Sequence, residues 1–185
     1  ITEFKTEQIH SLQAVWSGKD VMAVLPTGFG KSAIFQAVPF LLGHRDGMDS
    51  YTVLIITPIN AIMMDQCKKL AARNISACYL DFKCSGAVAA GTDLEEQEDG
   101  EIACDVDLSQ VETGCFNLVY AHPESLLCNR GRLLLKRMQK FVCAIAIDEA
   151  HIILEWEDFK FCSSKIKFKN FNVNAGNIVL YNFVH

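Results

Sequence analysis

Short, continuous apolar runs alternate along this chain with stretches whose apolar residues recur every three or four positions. Val21–Leu25, Thr52–Thr57, Ile75–Leu80, Asn117–Tyr120 and Val142–Ile147 are runs of the first kind. Their length and unbroken apolar character predict strands buried on both faces, because a strand with one wet face would alternate apolar and polar residues. Lys31–Leu42, Asn60–Ala72 and Glu124–Gln139 carry the helical period instead. Strands and helices in alternation predict an α/β fold, a mostly parallel sheet flanked by helices, with ligands received at the carboxyl ends of the strands.

Three stretches break this rhythm. Gly43–Ser50 reads as a loop. Cys84–Gly114 is rich in acids and glycine, too polar for a core, and reads as a solvated, partly disordered insertion. Beyond Phe161, Asn, Lys and Phe cluster without an amphipathic period. The expected organisation is one lobe over residues 1–160 with an acidic insertion at about 84–114, followed by a divergent or aberrant tail over 161–185.

Composition narrows the class. Half of the 185 residues are hydrophobic and 21% are charged, which suits a folded domain and excludes collagen-like, disordered and coiled-coil chains. No apolar run reaches the roughly 18 residues of a bilayer span, and no basic segment followed by an apolar core opens the chain; no membrane partner is expected. The eight cysteines include no CxxC pair, so neither a disulfide framework nor a zinc site is expected, and the thiols read as reduced in an intracellular protein. A net charge of −5 speaks against a polyanionic partner until it is located. Asp93, Glu95, Glu96, Glu98, Asp99, Glu101, Asp105 and Asp107 form one block without a Lys or Arg, and without them the remainder is net positive.

The chemistry sits where strands end. Pro26-Thr27-Gly28-Phe29-Gly30-Lys31-Ser32 follows one predicted strand and opens a predicted helix. The strict phosphate-loop pattern has Gly where this chain has Leu25, yet the GxGKS core meets each physical demand. Thr27, Gly28, Phe29 and Gly30 form a loop whose amides can turn inward around phosphate oxygens. The helix start adds its positive end. Lys31 supplies a charge for the β and γ phosphates, and the Ser32 hydroxyl is placed for Mg²⁺. Asp148-Glu149-Ala150-His151 follows the strand VCAIAI. Asp148 is placed to hold the metal through water, and Glu149 to polarise an attacking water as general base. ATP and Mg²⁺ are the expected cofactors.

LPTGFGKS together with DEAH resembles a superfamily 2 helicase, and finer features are similar to its RecQ branch. Phe4-Lys5-Thr6-Glu7-Gln8 resembles the motif upstream of the phosphate loop; the resemblance implies that Gln8 reads the adenine edge and that Lys5, where the family has Arg, stacks on the base. Phe35-Gln36-Ala37-Val38-Pro39 resembles an aromatic-Gln-x-Pro run, one residue longer. Thr57-Pro58 with Met64-Asp65-Gln66, and Tyr120-Ala121-His122-Pro123-Glu124-Ser125-Leu126, resemble motifs that touch the nucleic-acid backbone. Ile152–Phe159 resembles the aromatic-rich loop that senses single-stranded DNA. Trp156 and Phe159 read either as a stacking platform for bases or as core packing, and His151 either as a relay to that loop or as a buried structural histidine. His122 reads as a DNA-motif residue or, more simply, as a loop histidine capping backbone groups. Arg130, Arg132, Lys136, Arg137 and Lys140 form a basic cluster, a solvated helix face or a phosphate-tracking surface.

The resemblance implies a RecA-like P-loop NTPase lobe that couples ATP hydrolysis to separation of DNA strands with 3′-to-5′ polarity. Single-stranded and duplex DNA are its partners, and the nucleus is its site where the source is eukaryotic. Nothing after Phe159 resembles the Ser/Thr-Ala-Thr motif that couples two lobes, and the sequence holds no second RecA-like lobe. The expectation is that the chain alone binds Mg-ATP weakly, hydrolyses it slowly and does not unwind duplex. The alternatives are another superfamily 2 translocase acting on RNA or DNA, and a non-catalytic nucleotide- or nucleic-acid-binding remnant.

Overall fold

A computed structural model describes residues 3–26, 28–48, 51–83, 101–148 and 177–182. The element order is α1 (Thr6–Trp16), β1 (Val21–Val24), α2 (Ser32–Asp46), β2 (Thr52–Ile56), α3 (Asn60–Ala71), β3 (Ala77–Lys83), β4 (Glu101–Cys104), α4 (Leu108–Glu112), β5 (Leu118–Ala121), α5 (Pro123–Leu127), α6 (Asn129–Met138), β6 (Val142–Ile147) and β7 (Asn177–Asn182). The strands form one sheet in the order β1-β7-β6-β2-β5-β3-β4. Every pairing is parallel except β3 with β4.

β2, β5 and β6 are buried at every position, which is why their sequences do not alternate. Their side chains still do. Val53, Ile55, Leu118, Tyr120, Ala144 and Ala146 face Phe35 and Val38 of α2 and Met63 of α3. Leu54, Ile56, Val119, Ala121, Ile145 and Ile147 face Leu126 of α5 and Leu134 and Met138 of α6. Two cores on one sheet make the predicted α/β sandwich. The parallel strands also bring Leu25, Thr57, His122 and Asp148 to one edge, the edge that receives ligands in such sheets.

The structure departs from the sequence reading in four places. The helix expected over Glu124–Gln139 is two, because Cys128 takes an extended conformation (φ −65°, ψ 160°). At Gly131 a Cβ would collide with the Ser125 carbonyl oxygen, so the α6 backbone lies directly on α5 and the axis must break before it. The Cys128 sulfur fills the gap, accepting from the Gly131 amide at 3.3 Å. Half of the loop expected at Gly43–Ser50 is the last turn of α2, which ends at Gly47 in the left-handed region (φ 66°), where glycine has no steric penalty.

The stretch read as an acidic insertion, 84–114, holds regular structure in its last part, and 84–100 lie outside the described residues. Residues 101–114 hold β4 and α4, with Ile102 and Val111 buried. Two of the block's acids have structural roles: Asp105 accepts from the Tyr79 amide at 3.1 Å, and Asp107 caps α4 by accepting from the Ser109 amide at 2.9 Å. Within the stretch expected to be a divergent tail, Asn177–Asn182 forms an interior strand between β1 and β6, with Val179 opposite Val21 and Asn177 opposite Ala144. Among the described residues no helix is long and apolar enough to cross a membrane, and no cluster of His, Cys, Asp or Glu could hold a metal on its own.

Candidate nucleotide site at the carboxyl edge of the sheet

The chain leaves β1 through Leu25 and turns back at once. The Phe29 amide donates to the Pro26 carbonyl at 3.2 Å, and Gly28 and Gly30 take φ of 76° and 88°, a region costly for any residue with a Cβ. Gly30 has a second reason to be glycine, since a Cβ there would meet Gln8 Nε2 at 2.9 Å. Lys31 then enters αR geometry and α2 begins at Ser32, so the positive end of a 15-residue helix points at the loop. Thr27 lies outside the described residues.

Lys31 is buried, with 7% of its surface exposed, and its Nζ donates to the Leu25 carbonyl at 3.1 Å. This explains why Leu25 can replace glycine. Its side chain packs on the core while its carbonyl, common to all residues, accepts from the lysine. An ammonium folded inside a glycine loop is a charge held ready for an anion.

Gln8, 4% exposed, ties α1 to the loop. Both of its amide N–H bonds are used, donating to Phe29 O at 3.2 Å and Gly30 O at 3.0 Å. Its Oε1 accepts from the Lys5 amide at 2.8 Å, which leaves one lone pair to accept another proton. The Lys5 ammonium lies 4.0 Å from the centre of the Phe29 ring, a cation–π contact. The lysine expected to stack on a base thus lies over a loop side chain.

Asp148 sits at the same edge, one residue past β6, its amide donating to the Ile56 carbonyl at 2.9 Å. Ser32 is half-buried at the start of α2. Glu149, His151, Trp156 and Phe159 lie outside the described residues.

The residues read as nucleic-acid contacts line this edge but are recessed. Thr57 is fully buried, with no hydrogen-bond partner for its hydroxyl among the described residues; its amide donates to the Ala121 carbonyl at 3.1 Å. Pro123 is buried, and Pro58 and His122 are half-buried. His122 does cap α5, but through its backbone: its carbonyl accepts from the Ser125 amide at 3.0 Å and hydroxyl at 2.6 Å. Its ring lies 3.9 Å from Glu124. The exposed groups beside them are Ile59 and Asn60, which sequence reading did not single out, and Met64, which it placed in the motif with Thr57-Pro58. It also missed that Gln36, Gln66 and Tyr120 meet. Each stood in a separate motif, and only the fold joins them. The basic cluster on α6 is exposed, with Arg137 paired to Glu112 at 2.7 Å.

Comparison with known proteins gives a consistent result. The family model described as DEAD/DEAH box helicase matches residues 5–178. The chain is 32% identical over 158 residues to an ATP-dependent DNA helicase RecQ of Haemophilus influenzae, covering 85% of this chain and 22% of that protein. It is 28% identical over 191 residues to the ATP-dependent DNA helicase Q-like SIM of Arabidopsis thaliana, covering 94% of this chain and 19% of that one. The chain therefore spans about a fifth of the length of these relatives. Among solved structures, the helicase MrfA bound to DNA superposes with a TM-score of 0.67 at 16% identity, over 99% of this chain and 24% of that one. A hypothetical ATP-dependent RNA helicase from Sulfolobus tokodaii gives 0.60 at 16% identity, over 98% and 46%; these two likenesses bear on the fold.

Proposed function

Because the chain belongs to the DEAD/DEAH box helicase family, we propose that it is the ATP-binding motor lobe of a RecQ-like DNA helicase, one that couples ATP hydrolysis to separation of DNA strands. The observation that carries this reading is the buried Lys31 ammonium inside the Gly28–Ser32 loop, with Gln8 closing on the loop carbonyls. Lys31 exchanges the Leu25 carbonyl for phosphate oxygens, a stronger, charge-assisted partner. The lone pair left on Gln8 Oε1 suits the 6-amino group of adenine, where guanine carries a carbonyl that cannot donate. Ser32 and Asp148 are oxygen donors of the kind Mg²⁺ takes and would hold it at this edge, Asp148 through water. Magnesium would supply charge neutralisation across the phosphates. Glu149 is assigned the proton of the attacking water and His151 the link to Trp156 and Phe159, by resemblance. Ile59, Asn60 and Met64, with Thr57-Pro58 behind them, are the surface offered to a nucleic-acid strand, DNA in this reading.

The test is binding of a fluorescent ATP analogue with and without Mg²⁺, beside Lys31→Ala. Binding should depend on Mg²⁺ and weaken by roughly thirtyfold or more in the variant, as truncation of a buried charge partner does. Equal binding by both proteins would remove the phosphate cradle from the account. Stimulation of ATP turnover by single-stranded RNA but not DNA would move the reading to an RNA-acting relative.

A further inference from the structure

Three segments of this lobe meet on one side-chain amide. Gln36 stands on α2 one helical turn beyond Ser32, so the two share a helix face. Its Nε2 donates to Gln66 Oε1 on α3 at 2.9 Å and to the Tyr120 hydroxyl on β5 at 3.4 Å. Phe35, the preceding residue, meets the Tyr120 ring edge-on, with centroids 6.3 Å apart and planes at 75°. Tyr120 is buried. Burial holds its phenol protonated well above the ordinary range, opposed by the Gln36 N–H and reinforced by the nearby charge of Asp148. The cluster thus lies between α2, which continues the phosphate loop, and the two elements beside the Thr57-Pro58 and His122-Pro123 segments.

We propose that Gln36 is a positioning residue that carries the state of the phosphate loop to α3 and β5. The inference rests on the nucleotide-site reading above. A shift of α2 as its loop closes on phosphates must either move Gln66 and Tyr120 or break the bonds to them. Breaking them inside a half-buried cluster leaves polar groups poorly solvated, so following is the easier course. The Phe35–Tyr120 contact pushes β5 the same way, since packed side chains move between discrete arrangements rather than compress. Two segments far apart in sequence and resembling nucleic-acid motifs thereby respond together to one event at the loop.

The experiment is amide hydrogen exchange on the chain, with and without a saturating magnesium–ATP analogue, for the wild type, Gln36→Leu and Gln66→Leu. Leucine keeps the volume and deletes the amide. In the wild type, nucleotide should slow exchange in the loop and also over Asn60–Gln66 and Leu118–Ser125. In both variants the loop should still be protected, while the slowing over Asn60–Gln66 falls by about two- to thirtyfold. Tyr120→Phe, which removes only the acceptor of the longer bond, should fall between. Slowing confined to the loop in the wild type, or undiminished in Gln36→Leu, overturns the proposal. Faster exchange in the variants with and without nucleotide alike would make Gln36 merely structural and overturn it too. No effect of nucleotide anywhere in the wild type would instead overturn the nucleotide-site reading.

Discussion

At the β1 end of the sheet, Lys31 and Gln8 aim buried N–H donors at main-chain carbonyls of Leu25, Phe29 and Gly30. At the β4 end, Asp105 and Asp107 accept from main-chain amides of Tyr79 and Ser109. Both ends join side chains to backbone, yet the first set is exchangeable and the second is not. In the proposed reading a phosphate oxygen replaces the Leu25 carbonyl on Lys31 and gains by carrying charge. Nothing that the lobe meets would replace the helix-start amide on Asp107. Besides its deeper burial, the functional loop therefore differs from the structural turn in whether a better partner can come from outside.

The largest way to break this contrast is at the fixed end. Gly131→Ala drives a methyl into the Ser125 carbonyl oxygen, and the variant should lose about 2–3 kcal/mol, the upper part of the range for overpacking. Thermal unfolding should shift down by roughly 4–12 °C, while ATP-analogue affinity, measured well below the transition, should hold. An equal loss of affinity would show that the two ends are not independent.

Gln8→Ala sharpens the contrast from the other side. It removes three hydrogen bonds around the loop, and stability should fall by about 1–2 kcal/mol. Competition of ATP against GTP for the fluorescent analogue should lose its preference at the same time. A variant that kept full ATP preference would take base reading away from Gln8.

The smallest effect concerns Asp107, whose carboxyl is held below its ordinary range first by the Ser109 amide and then by the Ser109 side chain. A depressed value means that this group's stabilisation is complete above the unfolded carboxyl value, near pH 4, and is lost as pH falls through the lower folded one. Asp107→Asn can keep the cap without that titration. Acid unfolding curves should be slightly flatter for the variant below about pH 4 and superimpose at neutral pH.

Much of this was legible in the amino acids because parallel strands leave continuous apolar runs. Thr52–Ile56 and Val142–Ile147 are central for that reason, and the phosphate loop is legible because glycine at positions 28 and 30 has a local cause. What was hidden has non-local causes. The break at Cys128 exists because Gly131 touches Ser125 across a helix crossing, and the apolar period runs through it undisturbed. β4 places Ile102 in the core within a run of acids, so composition masked it. Lys5 was expected to meet a base, and its ammonium lies over Phe29 because the loop curls back toward α1.

The place of β7 bears on how the lobe comes together in time. β1 hydrogen-bonds to β7, with Val21 beside Val179, partners on the order of 150 residues apart, a separation of the kind that slows closure. A chain emerging from the ribosome can pair β2 with β5 and then β6 while β1 still waits for its neighbour. The strand that delivers the phosphate loop is then among the last to find its seat. A nascent lobe would on this order complete the centre of its sheet before the strand that carries the glycine loop is seated.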